Sequence, residues 1–149
     1  MTGYVAVAET DIDAPAARVW DILTSPDQLK QLWFGADVET DWQVGHPIVM
    51  SGEYGGKSFR DEGEVRSFEP GRKLAYTHRS GGDPSKEHLV TFELKPRGDA
   101  TEVVVTQDGG AEAQRVEYEK TWAMMLEGVE KAVGREPDAP PLEELSRSD

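Results

Sequence analysis

The stretch "AEAQRVEYEKTWAMMLEGVEKAVG", residues 111–134, decides how the rest of the sequence is interpreted. Its large apolar side chains recur at the 3.6-residue spacing of an amphipathic helix, and they are Tyr118, Trp122, Met125, Leu126, Val129 and Val133. Met124 lies off this stripe, so we expect it at the surface, and Gly134 is typical of a residue that ends a helix. Because an amphipathic helix must bury its apolar face, the sequence must also supply an apolar surface to cover it.

That surface is predicted by the segment before the helix, from residue 37 to about residue 107, where apolar and polar residues alternate as in β-strands. Turn residues divide the segment into about six antiparallel strands, and they lie at Gly45, at Pro70 and Gly71, at residues 80–85 and at residues 97–99. The residues predicted to share a strand face are Val38, Thr40, Trp42 and Val44; Ile48, Met50 and Gly52; Leu74, Tyr76 and His78; Val90, Phe92 and Leu94; and Thr101, Val103, Val105 and Gln107.

The first 35 residues predict one more strand followed by two very short helices. The strand covers residues 2–13, with Val5 and Val7 on one face and Tyr4, Ala6, Ala8 and Ile12 on the other. The helices lie in "APAARVWDILTSPDQLKQLWFG", residues 14–35, where Pro15 suits a first helical turn and Ser25 can cap the second helix. Helices this short form little core by themselves, so we expect them to close one end of the sheet and support the long helix.

These elements predict an α+β fold in which a curved antiparallel sheet wraps around one long C-terminal helix. A sheet of this length twists and curls, which leaves a space between its concave face and the helix. We expect a single domain over residues 1–134 and a flexible, acidic, Pro-rich tail over residues 135–149.

Composition excludes several classes of function. The chain has 149 residues, no cysteine and a formal net charge of −13, so disulfides and thiolate metal sites are excluded. Because its excess charge is negative, we expect no nucleic-acid partner and no binding to anionic membrane surfaces. The sequence contains neither a signal-peptide pattern nor an apolar run long enough for membrane insertion, so we expect a cytoplasmic, soluble protein.

The space between sheet and helix is the predicted binding site. Such pockets are mostly apolar with a few polar groups, and Ile48, Val103 and Val129 are also expected to face inward. The alternative is that all these side chains simply pack as core. The residues predicted to bind a ligand are Trp33, Phe34, Met50, Tyr76, His78, Phe92, Val105, Gln107, Tyr118, Trp122 and Met125.

Signals for catalysis are weak, and we predict no catalytic residue, no cofactor and no metal. His78 and His88 would face each other across a hairpin that turns near Asp83, but a catalytic zinc site needs a third protein ligand, which the sequence does not identify. No nucleophile, phosphate-loop or dinucleotide motif is present. A carboxylate beside His78, such as Glu62 or Glu64, would favour an enzyme.

Four stretches in this order resemble the START-like (SRPBCC) superfamily, and within it the family named for activators of the heat-shock-protein-90 ATPase. They are "DAPAARVWDILTSPDQLKQLWF" (13–34), "GEVRSFEPGRKLAYTH" (63–78), "TEVVVTQDGG" (101–110) and "YEKTWAMMLEGVEKAV" (118–133). The resemblance implies the helix-grip fold over nearly the whole chain to about Gly134. The sequence departs from the family at Thr121 and His46, where glycine is usual, and at His78, where tryptophan is common and whose exchange changes the predicted interior.

The resemblance implies three competing functions. The first is binding of a hydrophobic small molecule or lipid, such as a fatty acid or a flat aromatic, in the central cavity. The second is a chaperone-associated regulator with a role in the stress response, and the third is a cyclase or hydrolase. We favour binding, because it needs no catalytic group and the residues identify none.

Overall fold

The computed structural model describes residues 5–32, 35–54, 56–83, 87–108 and 112–133. The elements are β1 (Val5–Ile12), α1 (Ala16–Leu23), α2 (Pro26–Leu32), β2 (Asp37–Glu39), β3 (Pro47–Tyr54), β4 (Lys57–Glu69), β5 (Lys73–Arg79), β6 (Glu87–Arg97), β7 (Ala100–Asp108) and α3 (Glu112–Val133). A 3₁₀ turn, Ser80–Gly82, joins β5 to β6. Trp33, Phe34 and the predicted tail, residues 135–149, lie outside the described residues.

The described strands form one antiparallel sheet in the order β1-β7-β6-β5-β4-β3-β2. Alternate residues of β7 are buried, as the two-residue period predicts, and they are Thr101, Val103, Val105 and Gln107. On β1, Val5 and Val7 are exposed while Ala6 and Ile12 are buried. This curved sheet with one long helix on it confirms the predicted helix-grip fold.

Helix α3 buries Trp122, Met125, Leu126 and Val129, and it leaves Met124 55% exposed, as its apolar stripe predicts. It lies against β1, α1 and α2. The Glu119 carboxylate accepts a hydrogen bond of 3.0 Å from the backbone N–H of Val7, and the Thr10 hydroxyl donates to Glu130 at 2.6 Å. These bonds tie α3 to the β1 edge of the sheet.

The Val7 N–H and then the nearby Arg115 guanidinium hold the pKa of Glu119 below its ordinary value. Within the described ranges, no helix is both long and apolar enough to cross a membrane.

The two short helices close one end of the sheet. Trp20 of α1 packs edge-to-face on Phe68, with ring centroids 5.2 Å apart. The Trp42 indole N–H donates to the Thr24 carbonyl at 3.0 Å, and Ser25 Oγ accepts a long 3.4 Å bond from the Gln28 N–H, the capping contact predicted for α2. The gap left under these helices is only about 10 Å³, so this end is filled with side chains.

One predicted strand is shorter than its sequence pattern. The alternation from Val38 to Val44 predicts a continuous strand, but β2 ends at Glu39 and Val44 is 60% exposed. The cause lies at Trp42, whose backbone takes a left-handed φ of 60° and so ends the alternation. Its ring stacks on Phe68 at 5.8 Å, so the side chain packs against the core although its backbone has left the strand.

Replacing Trp122 by alanine should lower the free energy of unfolding by about 3–5 kcal/mol, because the side chain is the largest on the buried stripe of α3. Urea denaturation followed by circular dichroism measures this. Met124→Ala is the matched control on the exposed face and should change stability by less than about 0.5 kcal/mol. A Trp122→Ala loss below about 1 kcal/mol would mean that another face of α3 anchors the helix.

Two glycines offer a second test. A Cβ on Gly63 would lie 1.7 Å from the Thr77 carbonyl oxygen, a backbone atom, whereas a Cβ on Gly128 would lie 2.6 Å from a methyl group of Leu32. Gly63→Ala should therefore destabilise the protein by more than about 2 kcal/mol, because β4 and β5 must separate. Gly128→Ala should change stability by less than about 1 kcal/mol, because Leu32 can rotate and alanine favours the helix. Equal effects in thermal melts would contradict this.

Candidate ligand-binding cavity

A cavity of about 290 Å³ lies between the concave face of the sheet and α3. Strands β3, β4, β5, β6 and β7 supply the sheet side of its wall, and α3 supplies the other side. The residues that line it are Leu32, Ala36, Met50, Phe59, Asp61, Tyr76, His78, Ser80, His88, Val90, Gln107, Tyr118, Thr121, Trp122 and Met125.

The deep part of the cavity is apolar. Tyr76 and Met125 line both this cavity and the 10 Å³ gap under the short helices, so they form its floor. Phe92 lies beneath the floor, where its ring stacks with Tyr76 at 6.5 Å and meets Trp122 edge-to-face at 5.6 Å. Burial raises the pKa of Tyr76 well above its ordinary value, so its hydroxyl stays protonated near neutral pH.

An imidazole–carboxylate pair lies in the wall. His78 Nε2 is 2.8 Å from Asp61 Oδ2, and the other carboxylate oxygen accepts a 2.9 Å bond from the Gly81 N–H. The two side chains are 25% and 20% exposed. Neither Glu62 nor Glu64, which the sequence offers as neighbours of His78, holds this position.

The reason is the alternation of β4, which places Phe59 and Asp61 on the cavity side. Glu62 and Glu64 follow the opposite phase of that alternation, and their carboxylates pair with Arg60 at 2.8 Å and with Arg66 at 2.9 Å.

A second imidazole faces the first. His78 and His88 lie directly opposite each other on β5 and β6, as the predicted hairpin requires. His88 Nδ1 is 2.6 Å from the Asp108 carbonyl oxygen, and its Nε2 is 3.4 Å from the Tyr118 hydroxyl. Among the residues that the structure describes, no three His, Cys, Asp or Glu side chains come together to hold a metal ion.

Gln107 connects the sheet to α3 at the edge of the cavity. The Trp122 indole N–H donates to Gln107 Oε1 at 2.7 Å, and both side chains are buried. Because an indole N–H is only a donor, the amide oxygen must face Trp122, and the amide NH₂ is left for other partners.

The structure brings together most of the residues predicted from the sequence. Those that line the cavity are Met50, Tyr76, His78, Gln107, Tyr118, Trp122 and Met125. Phe92 and Val105 are buried but do not line it, and neither do the inward-facing Ile48, Val103 and Val129. Trp33 and Phe34 lie outside the described residues. The lining residues absent from the sequence-based set are Leu32, Ala36, Phe59, Asp61, Ser80, His88, Val90 and Thr121.

Some of the lining residues that were not predicted could have been identified from the sequence. Extending the alternation of β4 backwards from Val65 places Phe59 and Asp61 on the buried face. The pairing of His78 with His88 likewise places His88 beside a predicted site residue.

Comparisons with known proteins agree with this architecture. Residues 13–134 match the model of the family described as Activator of Hsp90 ATPase homolog 1-like protein. The solution structure of ChR145 from Cytophaga hutchinsonii is 34% identical, with a TM-score of 0.78, over 90% of this chain and 96% of that one. The crystal structure of MLL2253 from Mesorhizobium loti is 26% identical, with a TM-score of 0.72, over 98% and 99%. No curated protein matches.

A more distant likeness is to the solution structure of the Aha1 dimer from Colwellia psychrerythraea. It is 20% identical, with a TM-score of 0.71, over 87% of this chain and 96% of that one. At this identity the likeness shows the fold alone.

The buried bond between Trp122 and Gln107 predicts a measurable coupling. Gln107→Leu should cost about 1–3 kcal/mol of stability, because it leaves a buried indole N–H without its acceptor. In a double-mutant cycle with Trp122→Phe, the coupling energy should be about 0.5–3 kcal/mol, measured by urea denaturation. Strictly additive losses would show that the bond contributes nothing to stability.

Proposed function

We propose, on the premise that this chain belongs to the family of Activator of Hsp90 ATPase homolog 1-like proteins, that it binds a hydrophobic small molecule between the sheet and α3. The observation that carries the proposal is the cavity of about 290 Å³. An engineered protein cavity of about 150 Å³ holds benzene, and ligand pockets begin at about 300 Å³. The space therefore suits a two-ring aromatic or a short acyl chain, which includes a lipid tail.

The lining supports the same proposal. Met50 and Met125 face the space with flexible thioethers, which adapt to ligands of different shape. Leu32, Phe59 and Val90 add apolar surface, whose removal from water favours binding. Ser80 and Thr121 are exposed to solvent and also line the cavity, which gives a ligand a route of entry. The residues proposed to contact the ligand are therefore the cavity lining, with Trp33 and Phe34 as further candidates from the sequence.

The family supports a chaperone partner as a second candidate. Its description names the activation of the Hsp90 ATPase, which suggests that a surface of this domain contacts a chaperone. The measurement is the ATPase rate of a purified Hsp90 homologue with and without this protein. A rate increase that survives blocking of the cavity would favour the chaperone role over ligand binding.

The His78–Asp61 pair supports a third candidate, an enzyme that moves a proton on the bound ligand. An imidazole oriented by a carboxylate is a common general base, and this pair lies in the cavity wall. His78→Ala would then abolish turnover and leave ligand binding largely intact, whereas in a pure binding protein it would change only affinity.

Binding predicts uptake of the neutral fluorescent probe N-phenyl-1-naphthylamine, with quenching of tryptophan emission. Met125→Ala deepens the floor, so in competition assays with straight-chain alcohols the preferred chain should lengthen, with a gain of about fourfold per additional methylene buried. Met124→Ala, its exposed neighbour, is the control and should leave the preference unchanged. Absence of probe uptake, or equal changes in both variants, would contradict the proposal.

A further inference from the structure

We propose that the ligand of this cavity is a neutral molecule with a flat apolar body and a hydroxyl group, and that the single hydroxyl proton is shared between the imidazoles of His78 and His88 in a three-centre hydrogen bond. This inference rests on the proposed function and adds the chemical class of the ligand. It follows from which hydrogen-bonding positions of the polar wall are already occupied and which are left.

The hydrogen-bond partner of His88 determines which of its ring nitrogens carries the proton. The Asp108 carbonyl oxygen, 2.6 Å from Nδ1, can only accept a hydrogen bond, so Nδ1 carries the proton. In the neutral ring Nε2 is then an acceptor. The Tyr118 hydroxyl makes only a long hydrogen bond of 3.4 Å to Nε2, so a better-placed ligand donor can replace it.

His78 also has one ring nitrogen bonded within the protein and one left as an acceptor, but its partner is a carboxylate. Its Nε2 lies 2.8 Å from the Asp61 carboxylate, an acceptor, so Nε2 carries the proton. In the neutral ring Nδ1 is therefore the acceptor. Each of the two imidazoles thus uses its N–H inside the protein and keeps a lone pair.

The strand register brings the two rings together. His78 and His88 are directly opposite on β5 and β6, and residues in that position have Cβ atoms about 4.5–5.5 Å apart. Gln107 opposes Val90 on β7, which makes it a diagonal neighbour of His88. Its amide NH₂ can donate to the lone pairs of the same ligand oxygen, since its Oε1 is bonded to Trp122.

Charge selects against an anionic ligand. The Asp61 carboxylate lies in the same wall and is only 20% exposed, and the chain carries a net charge of −13. A ligand carboxylate would lose its hydration and face an acidic group and two acceptor nitrogens. A hydroxyl supplies the donor that these groups lack. The wall therefore favours an aromatic alcohol over a fatty acid.

The test compares three probes of one ring system: naphthalene, 2-naphthol and 2-naphthoate. Their affinities are measured by displacement of N-phenyl-1-naphthylamine at about pH 8, where a phenol is neutral. We expect 2-naphthol to bind about fivefold tighter than naphthalene, the gain of one hydrogen bond. We expect 2-naphthoate to bind at least about tenfold more weakly than 2-naphthol.

Substitutions of the two histidines test whether their imidazoles cause the difference in affinity between 2-naphthol and naphthalene. His88→Phe and His78→Phe should bring the ratio of the naphthol and naphthalene affinities close to one while naphthalene still binds. His46→Phe is the matched control, because His46 also pairs with an aspartate, Asp41 at 2.7 Å, but does not line the cavity. This control should keep the wild-type ratio. A loss of folded protein lowers binding of 2-naphthol and of naphthalene equally, so it does not change the ratio of their affinities. Circular dichroism checks the folding of each variant separately.

The outcomes separate the two proposals. If naphthalene and 2-naphthol bind equally well, or 2-naphthoate binds best, the ligand class is wrong and the binding function stands. If the wild-type ratio persists in both His78→Phe and His88→Phe, the hydroxyl is recognised elsewhere and the inference is overturned. If none of the three probes binds, both the inference and the proposed function fail.

Discussion

The indole of Trp122 meets the sheet in two ways, and the position of α3 depends on them. Its ring packs edge-to-face against Phe92 at 5.6 Å, and its N–H donates to Gln107 at 2.7 Å. The first contact buries apolar surface, and the second fixes the direction from which the ring approaches, because a buried indole N–H without an acceptor is costly. Together with the contacts between α3 and β1, they hold the helix against the sheet.

The cavity lies between this helix and the concave face of the sheet. On the side of the short helices, the aromatic contacts of Trp20 and Trp42 with Phe68 fill the space almost completely. Beyond this packed end the cavity opens above the floor formed by Tyr76 and Met125. Polar residues of β4 and β5, Asp61 and His78, form part of its wall. The space between sheet and helix therefore has an apolar floor and a polar wall.

Much of this fold could be predicted from the sequence because the regular spacing of apolar residues is a strong signal of secondary structure. The stripe through Trp122 and Val129 and the alternation from Thr101 to Gln107 specify which faces are buried, whatever the neighbouring elements do. Trp42 was not predictable in the same way, since a left-handed backbone at a tryptophan arises from tertiary contacts with Thr24 and Phe68.

The site was predictable only in part. The sequence places several carboxylates near His78, but the partner is Asp61 because the alternation of β4 turns it to the cavity side and because the turn after β5 presents the Gly81 N–H. The volume of the cavity depends on where α3 lies on the sheet, and a hydrophobic pattern does not encode that distance. Family membership supplies the fold, whereas the chemistry of the wall comes from individual side chains of this chain, such as His78 and Asp61.

The most direct measurement of the central claim is the indole region of a two-dimensional ¹H–¹⁵N NMR spectrum during titration with a neutral aromatic ligand. Trp122 lines the cavity and its N–H is held by Gln107, so its indole resonance should shift progressively and saturate. The indole resonances of Trp20 and Trp42 should stay in place, because these side chains belong to the packed end beside Phe68. A saturable shift at Trp20 or Trp42 without one at Trp122 would contradict binding between the sheet and α3.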